Sequence, residues 1–351
     1  MTRSLSRRDF LKLGGLSLSG LAFTPSLRNM LDFDDSNVVR VATDSVSVYS
    51  KPSDKSSIVS TWFRDDLVHV YGEVVAEEPK QNPVWYRVWG GFMHRARLQR
   101  VKTLFNASAI SIPEGEQRLA EVTVPFSNPW RKSKAFGWEK MNPPIYFGSV
   151  HWIIAVEEGP DGEAWYRIFD DLDSNVPYYI PALHLRPIAV EELDPISPNV
   201  PAERKRIEVN LTTQVLTAFE GDTSVFQTKI SSGVPAKDFK TPTGDFNITE
   251  KTAAKHMGFS YFGVGQNGVV NSFADADGYA LPGVPWTCFF TKAGHAFHGT
   301  YWHENFGTPM SHGCINMRSE EAQWIFRWAT PVHEPSRTFN RGLGTAVKIY
   351  Y

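Results

Sequence analysis

A four-residue stretch, Trp85-Tyr86-Arg87-Val88, returns downstream as Trp165-Tyr166-Arg167-Ile168. The echo continues on either side. Val48-Tyr49-Ser50 resembles Pro125-Phe126-Ser127, and Leu98-Gln99-Arg100-Val101 resembles Leu185-Arg186-Pro187-Ile188. Self-similarity of this kind restricts residues 38–188 to two copies of one small unit rather than a single larger domain. The local pattern says what the unit is made of. Val39-Arg40-Val41, Val46-Ser47-Val48-Tyr49 and Val68-His69-Val70-Tyr71 alternate apolar with polar residues, the period of a half-buried strand. Lys51-Pro52-Ser53-Asp54 and Gly90-Gly91 supply turns between them. Two small β-barrels are therefore expected, over 38–104 and 117–190, with their Trp and Tyr residues in the cores.

Through the Trp-Tyr-Arg strand and its spacing, these units resemble bacterial SH3-like modules. That resemblance implies a positioning role, with glycan or a wall protein as partner. Pro195, Pro198 and Pro201 then mark 191–204 as a stiff linker. Beyond it, Ile207, Val209 and Leu211 alternate with polar residues. A Thr212-Thr213-Gln214 turn leads to Val215–Phe219, and Phe226, Thr228 and Ile230 supply a third strand. Residues 205–351 are thus predicted to be mainly β, with one or more short helices. The helix that stands out has Ser319 as N-cap, Glu320 and Glu321 near the positive end of its dipole, and Ala322, Ile325, Phe326 and Ala329 on one face. Pro331 stops it. Ala253–Pro285, rich in Gly and aromatics, is expected to be a long connection.

The N-terminus is an address rather than fold. Ser6-Arg7-Arg8-Asp9-Phe10-Leu11-Lys12 precedes a short apolar run from Leu13 to about Phe23, the twin-arginine export pattern. Residues 1–37 are assigned to this leader, and the protein is expected to work outside the cytoplasm, at the wall or membrane. A formal net charge of −2 and the lack of a basic stripe give no reason to bind nucleic acid.

Two cysteines occur in 351 residues, too few for a disulfide framework or a four-thiolate metal site. Cys288 lies in the apolar run Trp286-Thr287-Cys288-Phe289-Phe290 and reads as a small buried hydrophobe. Cys314 is different. It follows Ser311-His312-Gly313 and lies downstream of Phe297-His298-Gly299-Thr300. A thiol attacks a carbonyl as thiolate, so it needs an imidazole to take its proton and later return it to a leaving amine. Gly313 lets backbone pass close to a substrate, and amides at this turn are candidates to hold an oxyanion. Five nearby groups (His295, His298, His303, His312 and Cys314) also invite a zinc reading. The spacing argues against it, and no metal or other cofactor is expected. His295 and His303 read as surface or loop histidines. Gly263-Val264-Gly265-Gln266-Asn267-Gly268 matches a dinucleotide fingerprint literally, but no helix pattern follows and Cys288 rather than an acid lies about 20 residues on. It is read as a flexible lid or loop wall.

Ser311-His312-Gly313-Cys314-Ile315-Asn316 resembles the motif of the L,D-transpeptidase (YkuD-like) catalytic domain. Lys240-Thr241-Pro242-Thr243-Gly244-Asp245-Phe246 and Gly344-Thr345-Ala346-Val347-Lys348-Ile349 resemble that domain's strand approach and closing strand. The likeness covers about 205–351. It implies an enzyme that cuts a peptidoglycan stem peptide between an L-centre and a terminal D-residue, forms an acyl-thioester, and passes it to an amine of another stem. Carried over residue by residue, Cys314 is the nucleophile and His298 the general base. The Gly299 carbonyl orients His298, His312 shapes the nucleophile turn, and Gly313 offers an oxyanion N–H. Asn316, Ser311 and Arg318 are taken as substrate contacts. Water or a protein amine as acceptor would make the same thioester a carboxypeptidase or an anchoring step. A lapsed, non-catalytic wall-binding protein is the reading from another class.

Overall fold

Alternating sequence becomes paired strand throughout. The structure, a computed structural model, describes residues 37–106, 110–142, 144–172, 177–235, 239–258 and 280–351. The leader and the Gly263–Gly268 stretch lie outside the described residues.

In the first β region, Val38–Val41 pairs antiparallel with Leu67–His69 on one side and Leu98–Val101 on the other. A second sheet runs in the order Ile58–Phe63, Ser45–Tyr49, Gly91–His94, Val84–Val88, Gly72–Val75. Val39, Val41, Val48, Val68, Tyr86 and Met93 form the core between them. The second β region builds a seven-stranded sheet, in which Ala164–Phe169 lies between Val150–Glu158 and Tyr178–Pro181. The echo in sequence is an echo in structure. Trp85 and Tyr86 are buried, as are Trp165 and Tyr166, whereas the arginine that follows each pair is not. Each region also closes alike. A single 3-10 turn, Arg95–Arg97 or Ala182–His184, feeds a last strand that pairs with the region's opening strand.

Residues 205–351 supply two five-stranded sheets. Lys205–Asn210 is central in one, antiparallel to Val215–Glu220 and parallel to the closing strand Ala346–Tyr350. The other runs Ile315–Met317, Ala296–Gly299, Ala280–Phe289, Glu250–Gly258, Asn340–Arg341. The described ends of the connection expected over Ala253–Pro285, residues 253–258 and 280–285, are therefore strand. Lys255 pairs with Val284 and Ala254 with Pro285 in one long antiparallel ladder. Both strands are buried along most of their length, so no apolar–polar alternation marks them.

Helix α1 (Ser319–Trp328) buries Ala322, Ile325, Phe326 and Trp328 in the core cluster, which also takes in Trp286, Cys288, Phe297, Ile315 and Met317. Its start differs from expectation. Arg318 is the N-cap, with extended backbone and no side-chain cap bond, and Ser319 is the first helical residue. Its other end is held by two lysines. Lys251 Nζ donates to the carbonyls of Phe326 and, at 2.7 Å, Ala329, and Lys205 Nζ donates to Trp328 at 2.9 Å. Carbonyls at a helix C-terminus have no partner within the helix and carry its negative end, so buried ammonium groups satisfy both needs. The proline-marked segment is docked as well, since Leu193 joins the core and the Ile196 N–H bonds the Arg327 carbonyl at 3.2 Å.

Burial in this fold forces histidines to stay neutral. It depresses His151, His184, His298 and His333 to about 4 and His303 to about 3. The unfolded chain protonates these groups below about pH 6.5, whereas the folded chain resists until far lower pH. Stability is therefore full above that pH and falls as pH drops, by about 1.4 kcal/mol per pH unit per group. Calorimetry is expected to show a Tm that is flat above neutrality and falls steeply from pH 6.5 to 4.5, with a shallower slope for His333→Gln. A Tm unchanged down to pH 4.5 would overturn this account.

Candidate active site

Two short parallel strands assemble the site. Ala296–Gly299 and Ile315–Met317 pair with Phe297 against Ile315, His298 against Asn316 and Gly299 against Met317. Side chains alternate along a strand, so Phe297, Ile315 and Met317 enter the core while His298 and Asn316 share the opposite face. Cys314, one residue ahead of its strand and two from Asn316, falls on that face too. Cys314, His298 and Asn316 all line one cavity of about 100 Å³.

His298 is 2% exposed, and its Nδ1 lies 2.9 Å from the Gly299 carbonyl oxygen. A carbonyl only accepts, so Nδ1 carries the proton and Nε2 keeps its lone pair. Burial lowers the ring to about 4, with the Gly299 bond opposing. Gly299 has no room to be anything else, because a Cβ there would meet Pro285 Cγ at 2.7 Å and Ser319 Cα at 3.0 Å. Burial likewise pushes the Cys314 thiol up to about 11, against a lowering hydrogen bond from the Ala296 backbone. Its Sγ sits 3.7 Å from the Gly294 carbonyl, a weak S–H contact. The resting pair is a neutral thiol and a neutral imidazole.

The nucleophile turn is braced from below. Gly313 has φ +120°, and a Cβ on it would strike the His295 ring at 2.7 Å, so the position requires glycine. Thr241 Oγ1 accepts the Gly233 N–H at 2.9 Å and donates to the Gly313 carbonyl at 2.8 Å. This ties the Thr241-Pro242 approach to the turn, a role its sequence did not disclose. Ser311 is buried, and its hydroxyl donates to the Cys314 carbonyl. The Gly313 N–H, expected to face an oxyanion, instead donates to Ser311 Oγ at 3.1 Å. Ser311 thus holds the turn, although it also lines the cavity. His312 is exposed, with its ring 4.2 Å from that of Phe239.

Arg318 departs from expectation, and two loop histidines are more engaged than expected. Arg318 does not line the cavity. Its guanidinium pairs with Glu321 at 3.2 Å and lies over the Phe306 ring. His303 is no surface residue. It is buried, with Nε2 2.9 Å from the Asn316 side-chain amide and Nδ1 accepting the Asn305 N–H at 3.2 Å. A neutral ring cannot accept at both nitrogens, so Nε2 donates and Asn316 presents its amide oxygen, the two amide ends being alike in shape. His295 is half-buried beneath the turn, its Nδ1 2.9 Å from Thr291 Oγ1. Cys288, on the adjacent strand opposite Phe297, is 0% exposed with its thiol pushed to about 12, a packing residue.

Sequence reasoning missed the upper wall. Trp302, 5.8 Å from the His298 ring, and Met310 belong to the loop between the two strands. Ala42, Thr43 and Arg97 come from the first β region. The loop is pinned to that region by Arg40 Nη2 on the Tyr301 carbonyl at 3.2 Å, Asn82 Nδ2 on the Glu304 carbonyl at 3.0 Å, and the Glu304 N–H on the Ala96 carbonyl at 3.0 Å.

Residues 204–349 match the YkuD family, the L,D-transpeptidase catalytic domain. No curated protein matches the chain. Among solved structures it is similar to an L,D-transpeptidase from Mycobacterium smegmatis, at 16% identity and TM-score 0.33 over 54% of this chain and 90% of that one. It is also similar to L,D-transpeptidase 3 from Mycobacterium tuberculosis, at 18% identity and TM-score 0.32 over 58% and 91%. The catalytic domain of the E. faecium L,D-transpeptidase is 23% identical, with TM-score 0.29 over 42% and 96%. Residues 204–349, which carry the Ser311-His312-Gly313-Cys314 turn, are a YkuD L,D-transpeptidase catalytic domain.

Proposed function

We propose that the protein is a peptidoglycan L,D-transpeptidase that forms a thioester on Cys314 and transfers it to an amine of a second stem peptide. One observation carries this reading: Cys314 and His298, whose Nε2 is free to accept, share one face of two parallel strands and one cavity. As Sγ attacks the carbonyl carbon of the L-centre, its proton passes to His298 Nε2. The tetrahedral oxyanion collapses and expels the amine of the terminal D-residue, which takes the proton from the imidazolium. The acceptor amine then attacks the thioester, gives its proton to Nε2, and releases the thiolate to be reprotonated. With the Gly313 N–H committed to Ser311, the Cys314 N–H remains as the oxyanion donor. Met257, Leu281, Trp302 and Met310 make much of the cavity apolar, which favours an amine over bulk water as acceptor. In this reading the two N-terminal β regions are SH3-like modules that seat the enzyme on the wall, and the Arg7-Arg8 leader exports it.

Incubation with a carbapenem followed by intact mass measurement is expected to show one adduct, none on Cys314→Ala, and acylation slowed by about 10²- to 10⁴-fold on His298→Ala. An adduct retained by Cys314→Ala would sink the assignment. Thr241→Val, which removes the brace under the turn, is expected to slow acylation on the order of 100-fold and, by unpairing two buried backbone groups, to lower Tm. Equal acylation by that variant would show the brace to be dispensable.

The neutral resting pair has its own signature. With the thiol near 11, the thiolate fraction at neutral pH is small and grows with pH. Alkylation of Cys314 by iodoacetamide is expected to rise about tenfold per pH unit from 7 towards 10. A flat rate from about pH 5 to 8 would instead reveal a standing thiolate–imidazolium pair.

A further inference from the structure

Arg97 closes the 3-10 turn of the first β region and lines the same cavity as Cys314 and His298. Its neighbours in sequence are engaged. Arg95 Nε donates to Asn82 Oδ1 at 2.5 Å, and Arg100 pairs with Glu73 at 2.5 Å. Arg97 has no carboxylate within ion-pair distance among the described residues. The Arg97 carbonyl accepts the Ala42 N–H at 3.0 Å, which fixes the turn against a second wall residue, and its charge bears on His303, the ring bonded to Asn316. The other lining residues are apolar, hydroxyl, thiol, amide or imidazole groups, and burial keeps His298 and His303 neutral. Among the described lining residues Arg97 therefore supplies the one fixed positive charge, exposed to solvent in the cavity that Cys314 also lines. A guanidinium forks onto a carboxylate through two parallel hydrogen bonds, which fixes orientation as well as affinity.

We propose that Arg97, supplied by the first β region rather than by the catalytic domain, is a positioning residue that pairs with the terminal carboxylate of the donor stem peptide. The assignment rests on the transpeptidase reading. In it the leaving D-residue carries that carboxylate on the carbon next to its departing nitrogen, so holding the carboxylate aims the scissile carbonyl at Sγ. The role makes the first β region part of substrate selection.

A tetrapeptide stem ending in a free acid and the same peptide ending in a carboxamide separate this role from a structural one. Titrated into the Cys314→Ala protein, the acid is expected to bind at least about tenfold more tightly than the amide, and Arg97→Gln in that background to erase the difference. Arg97→Lys should restore part of it. In the otherwise native chain, Arg97→Gln is expected to raise KM for the acid while leaving iodoacetamide alkylation of Cys314 unchanged. Equal binding of acid and amide, loss of both alike on Arg97→Gln, or no binding of the acid at all would overturn the proposal. Failure of the native chain to form a thioester with either peptide would instead overturn the transpeptidase reading, and intact mass tells the two apart.

Discussion

A buried guanidinium at Arg40 is the point on which the rest of the molecule converges. Arg40 is 1% exposed, in a strand whose neighbours Val39 and Val41 fill the first region's core. Its Nε and Nη2 donate to Gln99 Oε1 at 3.0 and 2.8 Å, its Nη1 pairs with Asp65 at 2.8 Å, and its plane lies 3.9 Å from the Tyr146 ring centroid. A cation taken out of water is tolerable only when every donor finds a partner, and truncating one partner leaves the charge uncompensated. Here the partners come from three stretches of chain. Asp65 and Gln99 belong to the first β region, Tyr146 to the second, and the Tyr301 carbonyl to the loop over the active site. Gln99 extends the link by donating to the Phe147 carbonyl at 2.6 Å. None of the three can move away without stranding the charge.

That constraint reaches the chemistry through a short path. Tyr301 is followed by Trp302, which walls the cavity beside His298, and by His303, which holds the Asn316 amide. The residue that the sequence marks as half of a catalytic pair is thus roofed by a loop whose position is set outside the catalytic domain. The nucleophile side is set from within, by Thr241, Ser311 and the space that Gly313 and Gly233 leave open. One half of the site is local architecture. The other depends on docking.

This division explains what could be read in advance. Strand alternation gave the β content. The Trp-Tyr-Arg echo marked two related regions, and the motif around Cys314 placed the thiol and imidazole in one cavity, because these depend on residues close in sequence. Arg40 was invisible for a physical reason. Flanked by inward valines, it took the position of a solvent-facing residue in a two-period pattern, and only the neighbouring region covers it. Arg97 and Thr43 were hidden in the same way, lying far along the chain from the cysteine whose cavity they line. The bonds that His303 and Ser311 make were not legible because sequence names a polar group without naming its partner. The N-cap at Arg318 differs by one residue, the scale at which a helix start is decided by backbone angles rather than side chains.

The same covering wall accounts for the electrostatics of the reacting pair. Enclosure by Trp302, Met257 and Leu281 removes the water that would stabilise an imidazolium or a thiolate, so both neutral forms are favoured at rest. In the proposed reaction, proton transfer from Sγ to Nε2 would become favourable only as new charge on the substrate oxygen meets the Cys314 N–H, which would couple deprotonation to attack. A thiol held neutral until a carbonyl arrives is also shielded from oxidants, since the thiolate is the susceptible form. That restraint follows from the burial that the docked first region helps to impose.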